Sequence, residues 1–342
     1  MKHTYTSNEL AKGAERQAQP TDTRRQRRGL GGFLTLGLLL VAAAGGIFWF
    51  VRTGSTLSVR DKADVAPDNS PGSHSENGSQ KKVSDKDVVL YVESTEGEIR
   101  QLFEYVRQSA LVQENVQYSS LMKDVGFAFD ATNDEVNAVA SRRIKEGGGE
   151  TRLITCYAGE ARFAKTIALA AAAELNGEKG EVAKMMGKMT PMLCFQLSAG
   201  DAVGLVRSCG LDRYLHDEAV LARARFIAAG GIVGVLAHEV GHQVLGHNFQ
   251  HGKDAVNNEV RRNWEAQADL FASSVMSSSP FGEYVFAGRV FALWVRMRQT
   301  DPILKKVPQR ELSHPIDRER FVALILSNKE KAAALGIKIP EI

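Results

Sequence analysis

The chain has 342 residues, of which 44% are hydrophobic and 24% are charged, and its formal net charge at pH 7 is +3. This composition is typical of a globular protein with a sizeable core, and it excludes a disordered or fibrous chain. The small net charge, without a basic stripe interleaved with aromatic residues, gives no reason to expect nucleic acid as a partner.

The N-terminal part predicts a membrane anchor. Residues 1–29 form a basic cytoplasmic segment that ends in a run of arginines, and Leu30–Val51 then contains no charged residue. A run of this length crosses a bilayer as one helix. Because the arginines precede it and only Arg52 follows closely, we expect a single-pass inner-membrane protein with its N-terminus in the cytoplasm and the remaining chain in the periplasm.

A cleavable signal peptide is the alternative for the same run, because Ala42-Ala43-Ala44 resembles a small-residue cleavage site. Ile47–Val51 extends the apolar run past that site, which favours an uncleaved anchor. The Arg24-Arg25 pair also raises a twin-arginine signal, although the residues after it fit that pattern poorly.

Residues 52–87 predict a flexible linker. The stretch 68–79 consists of Asp, Asn, Ser, Pro, Gly, His and Glu, and it offers nothing to bury. The globular domain is therefore expected over residues 88–342.

Apolar periodicity predicts a mainly helical α+β domain with a small β-sheet. Val88–Val92 is predicted as a short strand or linker end, and Val136–Ala140 and Arg152–Tyr157 as strands around a Gly-Gly-Gly turn. Helices are predicted over Glu96 to about Lys123, Ala161–Leu175, Glu181–Met189 and, roughly, residues 217–247, 258–277, 282–299 and 316–334.

The cysteines are Cys156, Cys194 and Cys209, and their spacing contains no Cys-x-x-Cys pair, so it does not predict a zinc ribbon. We expect them to be buried as small hydrophobic side chains. A bridge between Cys194 and Cys209 is the alternative, should this part of the chain lie in an oxidising compartment.

Two histidines lie four residues apart in His238-Glu239-Val240-Gly241-His242. On an α-helix this spacing points both imidazoles at one metal ion, and it places Glu239 beside them, within reach of a water at that ion. The preceding residues 232–237 are apolar, as expected for a helix inside a core. The alternative is a pair of unrelated helical histidines.

A catalytic zinc ion takes three protein ligands and leaves a fourth position for water. His247 is not the expected third ligand. It follows His238 by nine residues, whereas metzincins place their third histidine ten residues after the first. On a continuous helix it also points about 140° away from His242. We therefore expect His247 to support the site or the fold instead of binding metal.

Glu265 is the better candidate for the third ligand, and Asp269 lies four residues later on the same predicted helix. Apolar residues surround both carboxylates, so leaving them unpaired would be costly. Asp269 is expected to accept a hydrogen bond from a ligating histidine, as carboxylates near metal sites commonly do. The alternative is a solvated face that pairs with Arg261 or Arg262.

Four motifs follow one another along the chain: the Asn133–Ala140 segment, His238–His242, Glu265–Asp269, and Ser313-His314-Pro315 followed by Arg320. In this order they resemble the HtpX and CAAX-prenyl-endopeptidase type of zinc metallopeptidase, a gluzincin. The resemblance covers about residues 90–335. It implies a zincin-like domain that holds one zinc ion.

The resemblance also implies a role for each matching residue. His238, His242 and Glu265 would bind zinc, Glu239 would act as general base, and Asp269 would orient a ligand. Asn137 would lie on a strand at the cleft and bind substrate backbone, while His314 and Arg320 would reach the oxyanion. For these last three, the alternatives are a strand-end amide, a His-Pro turn before a helix and a surface arginine.

Two departures from the family pattern stand out. The chain has no second charge-free run of spanning length, so it resembles the single-anchor or periplasmic branch. About 100 residues separate Asn137 from His238, which is more than the pattern usually has. The stretch 161–215 is therefore expected to be an insertion that caps the cleft, binds a partner or packs into the fold.

Together these features predict a zinc-dependent metalloendopeptidase that hydrolyses unfolded or misassembled envelope proteins. A membrane-anchored chaperone or adaptor that keeps the peptidase fold is the alternative. A third interpretation is a hydrolase that acts on substrates other than peptides, although the strand-edge motif favours a polypeptide.

Overall fold

The computed structural model describes residues 83–144, 149–247, 257–277, 282–304 and 317–334. The predicted basic segment, the anchor at 30–51, most of the linker and Ser313-His314-Pro315 lie outside these residues. The described part is mostly helical with one small sheet, which confirms the coarse architecture expected from the sequence.

The helices and strands have the following bounds. The helices are α1 (Asp85–Val92), α2 (Glu96–Arg107), α3 (Ala110–Gln113), α4 (Val116–Met122), α5 (Ala158–Leu175), α6 (Glu181–Lys188), α7 (Ala199–Ser208), α8 (Glu218–Val244), α9 (Asn258–Ser277), α10 (Gly282–Leu304), α11 (Asp317–Ser327) and α12 (Lys329–Ala334). The strands are β1 (Val125–Asp130), β2 (Ala138–Ile144) and β3 (Glu150–Tyr157). Short 3-10 helices cover Pro191–Cys194 and Leu211–His216.

The three strands form a sheet in the order β1-β3-β2. β1 runs parallel to β3, and β2 runs antiparallel to it. Among the described residues β2 is therefore an edge strand. The strands predicted at 136–140 and 152–157 are confirmed, although β2 begins two residues later and runs on to Ile144, and β3 begins two residues earlier. Strand β1 was not expected.

The prediction of a strand or linker end at Val88–Val92 is wrong, because these residues belong to helix α1. Ser84 begins the helix, since its hydroxyl accepts the Asp87 N–H while the Asp87 carboxylate accepts the Ser84 N–H. This reciprocal cap outweighs the strand preference of the valines. The single helix expected from Glu96 to Lys123 is instead divided into α2, α3 and α4.

Helix α8 occupies the centre of the fold, where it packs against α5, α9 and α10. It is the one helix of the described part that is long and apolar enough to cross a membrane, and 67% of its most apolar stretch is buried inside the structure. That degree of burial also fits the core helix of a soluble domain, and α8 is not the segment predicted as the anchor.

The stretch expected to be an insertion packs into the fold. Helix α5 lies along α8, and residues from α6, α7 and the 3-10 helices form an apolar cluster with α1 and the N-terminal half of α8. In addition, Glu135 pairs with Gln196, so this stretch also borders the residues that precede β2.

Cys156, Cys194 and Cys209 are buried, and none of these three residues forms a disulfide. Their expected role as small hydrophobic side chains is confirmed, and the alternative bridge between Cys194 and Cys209 is not present.

Candidate metal centre

Two packed helices carry the candidate site. Helix α8 presents His238 and His242 one turn apart, and helix α9 presents Glu265. Close packing requires a glycine between the histidines, because a Cβ at Gly241 would lie 3.2 Å from the Cα of Ala268. The Gly241 position therefore lets α9 bring its carboxylate to the two imidazoles.

Three donor groups converge at this point. Nε2 of His238 lies 3.0 Å from Nε2 of His242 and 3.1 Å from a carboxylate oxygen of Glu265, whose other oxygen lies 3.5 Å from Nε2 of His242. Two imidazoles and one carboxylate are a known ligand set of catalytic zinc. With metal–ligand bonds of about 2.0–2.1 Å, a tetrahedral ion separates its ligands by about 3.3 Å. The residues present therefore fit zinc.

Glu239 also belongs to a group of residues able to hold a metal ion, because it offers an oxygen that lies with His238 and His242 donors within 4.8 Å. Its Oε1 is 4.0 Å from Nε2 of His238, farther than either Glu265 contact. Its Oε2 accepts a hydrogen bond of 2.7 Å from the backbone N–H of Ala140. We therefore assign Glu265, not Glu239, as the third ligand candidate.

The carboxylate of Asp269 contacts the ring nitrogen of His238 that faces away from Glu265 and His242. Its Oδ1 lies 2.9 Å from Nδ1 of His238, so Nδ1–H donates to it and Nε2 faces Glu265 and His242. Arg320 holds Asp269 in turn, because its Nε and one terminal nitrogen each donate to a carboxylate oxygen at 2.7 Å. Buried Arg289 adds a third positive contact at 3.7 Å.

A different partner lies behind His242. Its Nδ1 is 2.9 Å from Nδ1 of His247, and Nε2 of His247 is 3.0 Å from Oε1 of Gln267. The His247 ring stacks on Trp264 with 5.5 Å between ring centroids and 9° between planes. His247 is thus placed beside a ligand candidate and not among the three donors, as expected from its spacing.

Electrostatics divides the centre into charged and neutral parts in the metal-free protein. Burial lowers the pKa of His238, but the charge of Asp269 and the hydrogen bonds that the imidazole donates to Asp269 and Glu265 outweigh it and raise the pKa to about 9. Burial also opposes ionisation of Glu265 and Asp269, yet their histidine and arginine partners hold both carboxyl pKa values well below the usual range. Burial lowers the pKa of His247 to about 4, which keeps that imidazole neutral.

The remaining predicted residues have different placements. Asn137 is exposed directly before β2, and its backbone carbonyl accepts the Tyr157 N–H. His314 lies outside the described residues. Two nitrogens of Arg320 donate hydrogen bonds to Asp269. These contacts favour a role in positioning Asp269, and the expected role of Arg320 at the oxyanion stays a prediction.

Sequence reasoning missed Ala140, Gln267 and Arg289. Ala140 contributes a backbone N–H, which no residue type signals. Gln267 lies on the exposed face of α9, and only its side-chain length lets it reach His247. Arg289 lies on α10 at a close crossing with α8, where its side chain fills the space beside Gly234.

No protein-family model matches the chain, and no curated protein or solved structure matches it. The family resemblance therefore depends on the motif residues alone.

Proposed function

We propose that the protein is a zinc-dependent metalloendopeptidase with a zincin-like domain of the gluzincin type. The observation that carries this proposal is the convergence of His238, His242 and Glu265 at separations of 3.0, 3.1 and 3.5 Å. The motif residues that resemble the HtpX and CAAX-prenyl-endopeptidase type support the same conclusion.

When bound, zinc would lower the pKa of a water molecule and polarise the carbonyl to be cleaved. Glu239 acts as general base: its carboxylate takes a proton from the attacking water and delivers it to the leaving amine. The hydroxyl adds to the carbonyl carbon as the C–N bond breaks. Asp269 and His247 keep the imidazoles of His238 and His242 in their binding orientation.

A polypeptide fits this site because the Glu239 carboxylate lies at the edge of the sheet. The Tyr157 N–H donates to the carbonyl of Asn137, which directly precedes β2, and the register continues with Ala140 opposite Ile154. Backbone groups alternate in direction along a strand, so Ala140 directs its N–H and C=O away from β3. An extended peptide can pair with such an edge through backbone hydrogen bonds. The reacting peptide bond would then lie beside Glu239.

The uncharged run at 30–51 and the arginines before it support a single-pass inner-membrane protein with its catalytic domain in the periplasm. Recognition through substrate backbone suits unfolded or misassembled envelope proteins, since such chains expose extended segments. Protein quality control in the envelope is the proposed role.

The test compares the full-length wild type with Glu239→Gln in two assays, zinc content and cleavage of an unfolded protein such as reduced casein. We expect both proteins to bind zinc and only the wild type to cleave. Glu218→Gln is the matched control, because Glu218 is an exposed glutamate on the same helix. This variant should cleave like the wild type.

Three other outcomes would contradict parts of the proposal. Unchanged cleavage by Glu239→Gln would refute the assigned base. Zinc binding without cleavage of any unfolded substrate would favour the chaperone or adaptor. Absence of zinc from the wild type would refute the metal centre itself.

A further inference from the structure

The two histidines of the candidate metal centre have different partners behind them. Nδ1 of His238 is hydrogen-bonded to the ionised carboxylate of Asp269, whereas Nδ1 of His242 is hydrogen-bonded to the imidazole of His247. An ionised carboxylate can accept a hydrogen bond at either of its oxygens. A neutral imidazole accepts a hydrogen bond only at the nitrogen that carries no proton, so a given nitrogen is an acceptor in only one of the two neutral tautomers. The support of His242 therefore depends on the tautomer of His247.

The direction of the hydrogen bonds follows from the donor set. If His242 binds metal through Nε2, its neutral ring carries a proton on Nδ1. Among the described residues, the acceptor that faces this proton is Nδ1 of His247, 2.9 Å away. His247 must then carry its own proton on Nε2, and this nitrogen faces Oε1 of Gln267 at 3.0 Å.

Three features hold this arrangement in place. His247 is only 2% exposed, so water has little access to its ring. Trp264 stacks on it with an angle of 9° between planes and fixes the plane of the imidazole. The Gln267 amide oxygen accepts from the Nε2–H tautomer, whereas the other tautomer would place a bare nitrogen against that oxygen.

We infer that His247 and Gln267 are positioning residues that select the metal-binding tautomer and orientation of His242. The inference rests on the proposed zinc centre. It adds that helix α9 controls every ligand: Glu265 binds directly, Asp269 acts through His238, and Gln267 acts through His247 and His242. The side chain that orients His242 is therefore the neutral imidazole of His247, whereas the side chain that orients His238 is the charged carboxylate of Asp269.

Substitution of His247 is the first test, with zinc affinity measured by competition with a chelator on the full-length protein. His247→Ala should weaken zinc binding roughly 10-fold to 100-fold, as loss of a ligand's hydrogen-bond partner does elsewhere. His247→Asn should restore part of the loss, because an asparagine oxygen can occupy the position of Nδ1. His216→Ala, at an exposed histidine, should change nothing.

Substitution of Gln267 is the second test, and it leaves the core intact because Gln267 lies at the surface. Gln267→Met removes the acceptor and should weaken zinc binding severalfold. Gln267→Glu supplies an anionic acceptor. Its charge raises the basicity of His247 and, through the hydrogen bond between the rings, of His242, so this variant should bind zinc more tightly. A role limited to folding would not give opposite signs at one surface position.

The third test observes the tautomer itself. Long-range proton–nitrogen NMR correlations on zinc-loaded, histidine-labelled protein should show His247 protonated at Nε2 and bare at Nδ1. Protonation at Nδ1, or equal zinc affinity in wild type and His247→Ala, would overturn the inference and leave the proposed function standing. If the wild type bound no zinc, the proposed function and the inference would fail together.

Discussion

The Glu239 carboxylate accepts a hydrogen bond of 2.7 Å from the backbone N–H of Ala140. This bond joins the central helix to the edge strand β2 at the level of the candidate metal centre. Gln243, one turn later, adds a second link, since its amide donates to the Ser141 carbonyl at 3.2 Å. The proposed base is therefore fixed relative to the strand on which a peptide would lie.

Ala140→Pro should lower the rate of cleavage at least tenfold without changing zinc affinity. Proline removes the N–H that holds Glu239, but it costs no bond of the β-ladder because this N–H points away from β3. Ala138→Pro is the control, since it places proline at the first residue of the same strand without touching Glu239. The measurements are kcat and zinc affinity, and equal kcat values for the two variants would contradict the role of this contact.

Glu265→Ala should weaken zinc binding by a factor of at least 100, because it removes one of the three proposed ligands and leaves two histidines. Glu259→Ala is the control, since Glu259 is exposed on the same helix. Chelator competition measures the effect. Zinc binding by Glu265→Ala as tight as that of the control would show that Glu265 is not a ligand.

The candidate ligand pair on α8 was predictable because both histidines lie on one helix, where a spacing of four fixes their relative direction. The third ligand was a weaker prediction, since a second helix must pack at the right height. Gly241 is what permits that packing, and a glycine alone does not signal it. The contact between Arg320 and Asp269 depends on how α11 meets α9, so the sequence alone did not predict it.

The fold was predictable where apolar residues repeat over many turns. The prediction for α9, 258–277, agrees with the structure. Prediction from apolar periodicity failed where a few polar atoms decide the local structure. At Ser84 and Asp87, for example, such atoms begin helix α1 in a valine-rich segment. Strand β1 was not predicted, because only Val125 and Phe127 of its six residues are buried. An alternation of two apolar residues is too short to distinguish a strand from the end of the preceding helix.

Arg320→Lys should weaken zinc binding roughly threefold to tenfold, less than the loss of a direct partner of a ligand. Lysine keeps the charge but cannot donate two parallel hydrogen bonds to the Asp269 carboxylate. Arg318→Lys, at an exposed position of the same helix, is the control. If Arg320 acted at the oxyanion instead, the substitution would lower kcat and leave zinc affinity unchanged.

Zinc affinity should rise with pH up to about 9 and then level off. In the metal-free protein the pKa of His238 is raised to about 9, so zinc must displace a proton below that pH, at a cost of about tenfold in affinity per pH unit. The same proton stabilises the metal-free fold: its contribution is complete below the ordinary histidine pKa of about 6.5 and is lost as pH rises through 9.

Two measurements check this pH dependence, namely chelator competition between pH 6.5 and 9.5 and denaturant unfolding of metal-free protein over the same range. Asp269→Asn is the informative variant. It removes the charge that raises the His238 pKa, so the plateau of zinc affinity should begin at a lower pH. A plateau that stays near pH 9 in this variant would show that another group carries the proton.

Gly288→Ala should destabilise the protein by about 1–3 kcal/mol or more, because helices α8 and α10 approach too closely for a side chain. A Cβ at Gly288 would lie 2.0 Å from the carbonyl oxygen of Ile227 and 2.3 Å from the nitrogen of Gly231. The backbone atoms in its way cannot rotate aside, so the helices would have to separate.

Gly204→Ala is the matched control for that substitution, since Gly204 lies inside helix α7 and an added Cβ there meets nothing within 4 Å. Alanine should stabilise this position by about 0.5–1 kcal/mol through its higher helix propensity. Denaturant unfolding of both variants measures the difference in sign. Helix α8 also carries the candidate ligands His238 and His242. Gly288→Ala, which displaces α8 from α10, should therefore also weaken zinc binding, whereas Gly204→Ala should leave it unchanged.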